Sequence, residues 1–77
     1  MRLLIVEDEK ELCDTISKSL YESGYEVDTC YDGHEALDYI LTEDYDLIVL
    51  DLNLPGMDGM DILRELRKEN EETKVLI

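Results

Sequence analysis

Seventy-seven residues with a mass of 9.0 kDa make one small domain and exclude two. The hydrophobic fraction of 44% and charged fraction of 36% fit a folded domain, not a disordered tail. Seven Lys and Arg against 21 Asp and Glu leave a net charge of −14, which argues against nucleic-acid or anionic-membrane binding and suits metal cations or a basic partner.

The run Leu3, Leu4, Ile5, Val6 has the continuous apolar pattern of a strand buried on both faces. Asp8 with Glu11 three positions later reads as an N-cap and capping box. Leu12, Ile16 and Leu20 then recur every four residues, which predicts an amphipathic helix over residues 9–22, stopped by Gly24. From Tyr25 to Cys30 the chain alternates, the pattern of an edge strand with one wet side. Asp32 and Glu35 repeat the capping spacing, and Ala36, Leu37, Ile40 and Leu41 form the stripe of a second helix. Leu47, Ile48, Val49 and Leu50 predict another buried strand. A turn follows at Pro55-Gly56, and Asp58 caps a third helix with the stripe Ile62, Leu63, Leu66. Arg64, Arg67 and Lys68 sit in its C-terminal half, where cations suit the helix dipole. Residues 70–72 form a polar connection, and Lys74 to Ile77 open a fourth strand. The alternation β-α-β-α-β-α-β specifies a parallel sheet with right-handed crossovers.

In such a sheet ligands bind beyond the carboxyl ends of the strands. The first buried strand ends in Glu7-Asp8 and the other in Asp51. If the two are neighbours, ~4.8 Å apart, three carboxylates converge, which is unfavourable unless a cation joins them or one takes up a proton. An oxygen-only ligand set favours Mg²⁺, with Mn²⁺ the second choice, over zinc. A carboxylate can also be a nucleophile that forms an acyl phosphate, and Asp51, single and followed by a loop, is best placed for that. The plainer account makes Asp8 a helix cap and Asp51 a polar strand end. Each is reasonable alone, and together they are harder to dismiss.

Leu3-Leu4-Ile5-Val6-Glu7-Asp8-Glu9 and, some forty residues on, Asp46 to Asp51 followed by Leu52-Asn53-Leu54-Pro55-Gly56-Met57-Asp58-Gly59 resemble the receiver domain of two-component response regulators over the whole chain. The resemblance implies a flavodoxin-like α/β fold with strand order 2-1-3-4 and helices on both faces. It implies that Asp51 is the phosphoacceptor and that Glu7 and Asp8 hold Mg²⁺. Asn53 contributes its backbone carbonyl to the metal, and Pro55, Gly56 and Gly59 shape the loop. The phosphodonor is a sensor histidine kinase. The loop also resembles that of receivers joined to winged-helix DNA-binding output domains. By the same resemblance, residues 1–77 are the N-terminal part of a receiver. The rest of strand 4, helix 4, strand 5 and helix 5 lie beyond Ile77, as do a Ser/Thr and a Lys that contact the phosphoryl group and an aromatic switch residue. Phosphotransfer is therefore expected to be impaired in this truncated chain.

Three other functions compete. An aspartate-nucleophile phosphatase of the haloacid-dehalogenase type needs an acid two residues after Asp51, where Asn53 stands and cannot donate a proton. Flavin binding needs a phosphate-cradling loop where this chain has Glu7 to Glu11. The third is a fragment with only a structural, self-associating role. Val75, Leu76 and Ile77 form an apolar tail with an unpaired edge, and apolar surface on Ile48, Leu50 and Leu63 is expected to be uncovered. A dimer through residues 73–77 is the expected result. Cys13 and Cys30 could be a redox pair, but two reduced core thiols fit better. His34, in the first turn of a helix, reads as a solvated surface residue, and Tyr39 and Tyr45 as lids on the core. The remaining acidic excess solvates helix faces. No apolar run approaches the ~20 residues of a membrane span, and no leader pattern is present, so a cytoplasmic location is expected.

Overall fold

The computed structural model describes residues 1–77. The strands are β1 (Arg2–Val6), β2 (Glu26–Cys30), β3 (Leu47–Leu50) and β4 (Lys74–Leu76), and the helices α1 (Lys10–Glu22), α2 (Gly33–Thr42) and α3 (Gly59–Glu69) alternate with them. The sheet order is β2-β1-β3-β4, with every neighbouring pair parallel. Val6 faces both Cys30 and Leu50 in register, so the strand ends that carry Glu7 and Asp51 stand side by side. Two further bonds extend the ladders past these strand ends: Glu7 N–H donates to Cys30 O and Asp51 N–H to Val6 O, each at 3.1 Å.

Strand alternation divides the core between the two faces of the sheet. Leu4, Val6, Ile48 and Leu50 join Cys30, Ala36, Ile40, Tyr45, Ile62 and Leu66 in one buried cluster under α2 and α3. The other face carries Leu3, Ile5, Leu47 and Val49 and is covered by α1 alone, which packs on β1 and β2. Leu47 and Val49 are therefore only half-buried, and with Leu3, Ile16, Leu20 and Leu76 they line an open apolar cleft. This corrects one expectation. Ile48 and Leu50, expected to be uncovered, are 1% and 2% exposed, and the open residues are their neighbours on the opposite face.

The helix caps differ in kind. Asp32 accepts from Glu35 N–H at 2.8 Å and Asp58 from Met60 N–H at 2.9 Å, as the spacing predicts. α1 does not follow the expected box: its N-cap is Glu9 with no side-chain bond, and Asp8 lies one residue outside. Gly24 stops α1 at φ 99°, the left-handed conformation that glycine adopts freely. Leu12 and Leu41, placed in the buried stripes, are instead exposed, while Cys13, Ala36 and Ile40 fill those contacts. Both cysteines are free and buried, and burial pushes the Cys30 thiol up to about 12, so it is an unreactive core group. No helix is long and apolar enough to cross a membrane.

Candidate metal and phosphoacceptor site

β1 and β3 are rigid because their apolar residues are locked in the sheet, and each delivers an acidic residue at its carboxyl end. Glu7, Asp8 and Asp51 each place a carboxylate oxygen within 4.8 Å of the others. Glu7 and Asp51 are half-buried and Asp8 is exposed. Asp8 thus lies in this cluster, one residue outside the N-cap of α1. Asn53 N–H donates to Asp51 Oδ1 at 2.9 Å, and Glu9 N–H to Glu7 Oε1 at 3.2 Å, so two of the three carboxylates are oriented by main-chain donors. Within the cluster itself no Lys or Arg side chain forms a salt bridge: the cation pairs lie at Arg2, Arg64 and Lys68.

The electrostatics follow from that imbalance. Burial raises the Glu7 carboxyl above the ordinary glutamate range, the Glu9 N–H opposes this, and the charges of Asp51 and Asp8 add to the rise. A hard divalent cation would remove the like-charge part of that penalty. The donor set, all carboxylate oxygen, fits Mg²⁺ better than a sulfur- or imidazole-seeking metal.

The loop from Asp51 to Asp58 runs between this edge and α3. Gly59 N–H returns to Leu52 O at 3.4 Å, and a Cβ at Gly59 would lie 2.7 Å from Leu52 Cα and 3.0 Å from Asp51 O. Only glycine lets α3 begin so close to the strand end. Gly56 has φ 84°, the conformation its turn requires. Pro55, Gly56 and Gly59 therefore occupy the loop positions expected of them. His34 is exposed, as expected, but its ring meets this loop: a Cβ on Gly56 would lie 3.1 Å from His34 Cδ2. The sequence pattern did not reveal that contact, because nothing in the spacing of residues 33 and 56 signals it.

An α/β sheet with carboxylates at neighbouring strand ends and a glycine-bounded loop after the second is the architecture of a receiver. The family model described as the response regulator receiver domain matches residues 3–77. The chain belongs to that family and is a receiver domain of a two-component response regulator, a regulatory domain in signal transduction and not a classical enzyme. It is 45% identical over 76 residues to the transcriptional regulatory protein DltR of Streptococcus agalactiae, covering 99% of this chain and 34% of that protein. Among solved structures it is similar to the response regulator TrrA of Thermotoga maritima in complex with Mg²⁺ and BeF, at TM-score 0.89 and 38% identity over 96% of this chain and 64% of that one. It is also similar to TrrA in complex with the histidine kinase ThkA, at TM-score 0.87 and 38% identity, with the same coverage. The chain thus spans about a third of the length of the curated relatives it matches.

Proposed function

We propose that Asp51 is the phosphoacceptor, that a sensor histidine kinase is the donor, and that Mg²⁺ held by Glu7, Asp8, Asp51 and the Asn53 backbone carbonyl supports the transfer. The observation that carries this reading is the convergence of three carboxylates within 4.8 Å at the strand ends of a receiver domain. The TrrA structures with Mg²⁺ and BeF and with a kinase support the choice of ion and partner. In the transfer one Asp51 carboxylate oxygen attacks phosphorus, the bond from phosphorus to the histidine nitrogen breaks, and an aspartyl phosphate forms. Bound Mg²⁺ supplies positive charge beside the transferring phosphoryl oxygens. The Asn53 N–H fixes the Asp51 carboxylate, so the nucleophile does not have to be oriented during the reaction.

The 77 residues alone should perform this step slowly. A Ser/Thr and a Lys of the kind the family resemblance implies would stabilise charge on the phosphoryl oxygens, and each preorganised donor is worth about a hundredfold or more in rate. The test is incubation with a small acyl-phosphate donor and Mg²⁺, read by intact mass. A slow gain of one phosphoryl group, abolished in Asp51→Asn, is expected. A gain that survives Asp51→Asn, or no gain from any donor including a kinase, overturns the assignment.

A second reading rests on the open cleft. Leu76 and Ile77 are 58% and 66% exposed, and the outer edge of β4 is unpaired. We propose that the 77-residue chain self-associates by pairing residues 73–77 of two copies over the Leu47 and Val49 face, giving a two-fold dimer. Reburying several hundred Å² at ~25 cal/mol per Å² contributes on the order of 10 kcal/mol before association costs. Repulsion between two chains of charge −14 opposes it, so association should strengthen with salt. Sedimentation equilibrium across salt concentrations checks this, and a folded 9.0 kDa monomer at high micromolar concentration overturns it.

A further inference from the structure

We propose that the first turn of α2, through Gly33 and His34, positions the Asp51–Asp58 loop and thereby the metal-binding groups at its start. The contact is made by three successive loop residues. Gly33 N–H donates to Pro55 O at 3.2 Å. Gly33 is buried so tightly on Met57 that a Cβ there would lie 2.4 Å from Met57 Cβ, 2.7 Å from Met57 O and 3.0 Å from Met57 Cα. Between these two contacts, the His34 ring lies against Gly56 at the one loop position with positive φ.

The loop has no regular hydrogen-bond ladder of its own. Its base is fixed by Asn53 N–H on Asp51 Oδ1 and by Gly59 against Leu52. Its crest, residues 55–57, leans on α2, and Met57 also packs against the core cluster. Moving the crest rotates the peptides between Asn53 and Pro55, and the Asn53 carbonyl belongs to that stretch. α2 is itself held to the sheet by Ala36 and Ile40 and capped by Asp32, so it is a firm abutment. Gly33 and His34 are therefore positioning residues: neither is among the clustered carboxylates, and both act through Pro55, Gly56 and Met57. Glycine is required at position 33 because any side chain would drive the loop off the helix, although the local backbone there is ordinary helix.

This inference rests on the Mg²⁺ reading above, and the experiment separates the two. Amide spectra of the wild type, Gly33→Ala, His34→Ala, His34→Gln and Leu41→Ala are recorded without metal and through a Mg²⁺ titration. Gly33→Ala should shift the amides of 51–53 before metal is added and weaken Mg²⁺ by about tenfold, the low end of what loss of a group that orients a metal ligand costs. His34→Ala should weaken it by a smaller factor. His34→Gln, which keeps a flat group against Gly56, should restore binding. Leu41→Ala, at the exposed far end of α2, should leave it unchanged. The amides of Leu3 to Val6, unmoved in each variant, show that the sheet is intact. If Gly33→Ala unfolds, the two His34 variants decide.

Equal Mg²⁺ affinity in folded Gly33→Ala or in His34→Ala overturns the inference while leaving the metal site standing. Failure of His34→Gln to restore binding overturns the role of the ring contact. If the wild type itself shows no Mg²⁺ response, the metal reading fails, and the metal-free spectra then test the positioning alone. Amides of 51–53 unmoved in Gly33→Ala and His34→Ala overturn it.

Discussion

The two ends of the sheet carry acidic clusters that are built in opposite ways. At the amino end, Asp28, Glu43 and Asp46 gather around Arg2. The guanidinium reaches Asp28 Oδ2 at 2.8 Å and Glu43 Oε2 at 3.4 Å, and the Arg2 N–H donates to Asp46 Oδ2 at 2.7 Å. Tyr45 completes the group: its hydroxyl donates to Asp28 Oδ2 at 2.7 Å, and the Arg2 guanidinium lies 5.1 Å from its ring centroid. At the carboxyl end, Glu7, Asp8 and Asp51 meet with main-chain N–H groups but no cation of the chain's own. The first cluster has a guanidinium at its centre, paired with two of the three carboxylates, and ties β1 to β2 and to the approach to β3. The second is open, and an open cluster of like charge on rigid strand ends is what a cation-binding site requires. Acidity alone does not mark function. The missing counter-charge does.

The contrast breaks most severely if the first cluster loses Asp28. Asp28→Ala removes the acceptor of the buried Tyr45 hydroxyl and a partner of Arg2, leaving Tyr45, 8% exposed, with an unmet donor. Such a loss costs about 1–3 kcal/mol. Since ~1 kcal/mol moves the midpoint of a domain this size by about 4–8 °C, thermal unfolding followed by circular dichroism should show a clear fall. Mg²⁺ binding at the other end should be unaffected. Tyr45→Phe is milder because Asp28 keeps Arg2 and no donor is left unmet: about 1 kcal/mol is expected in urea unfolding. A loss as large as that of Asp28→Ala would show that the hydroxyl, not the carboxylate, organises this end.

The carboxyl end was legible from the sequence and the amino end was not, for a physical reason. Glu7, Asp8 and Asp51 each follow an apolar run, and once the two runs are neighbours parallel pairing brings their ends together. The caps Asp32 and Asp58 were readable from a local pattern, whereas the strand order 2-1-3-4 was implied by the family resemblance. Arg2, Asp28 and the group Glu43, Tyr45 and Asp46 lie in three separate segments with no common spacing, and only the register of Arg2 beside Glu26 and the path into β3 collects them. Tyr45 was expected as a lid on the core, but its ring packs in the core cluster and its hydroxyl seals the salt-bridge group. The side of the sheet left open was also hidden, since Leu47 to Leu50 is apolar at every position and nothing in it says which alternate pair a helix covers. Asp8 misled in the other direction. Its spacing to Glu11 is that of a capping box, but the carboxylate serves the strand-end cluster instead.

The smallest effect expected is also the sharpest test of the open cluster. Glu7 has its carboxyl raised by burial and by Asp51 and Asp8, so its charged form is less welcome in the folded chain than in the unfolded one. A raised carboxyl contributes stability below its unfolded value, about 4.3, and loses it as pH climbs through the higher folded value. At pH 7 the charge on Glu7 is therefore a net cost to the metal-free fold. Glu7→Gln removes that cost and keeps the shape, so the metal-free variant should melt slightly higher than the wild type at pH 7, by a few °C at most. Near pH 4, where Glu7 is largely protonated in the folded wild type, the two should converge. Mg²⁺ should invert the order, because binding to the folded state adds stability in proportion to RT ln(1 + [L]/Kd), and the variant has given up one negative charge at the site. Melting curves at the two pH values, each with and without Mg²⁺, read all of this from one pair of proteins. A wild type that is the more stable of the two without metal at pH 7 would mean that Glu7 is already neutralised from within the chain, and the contrast between the two ends of the sheet would collapse.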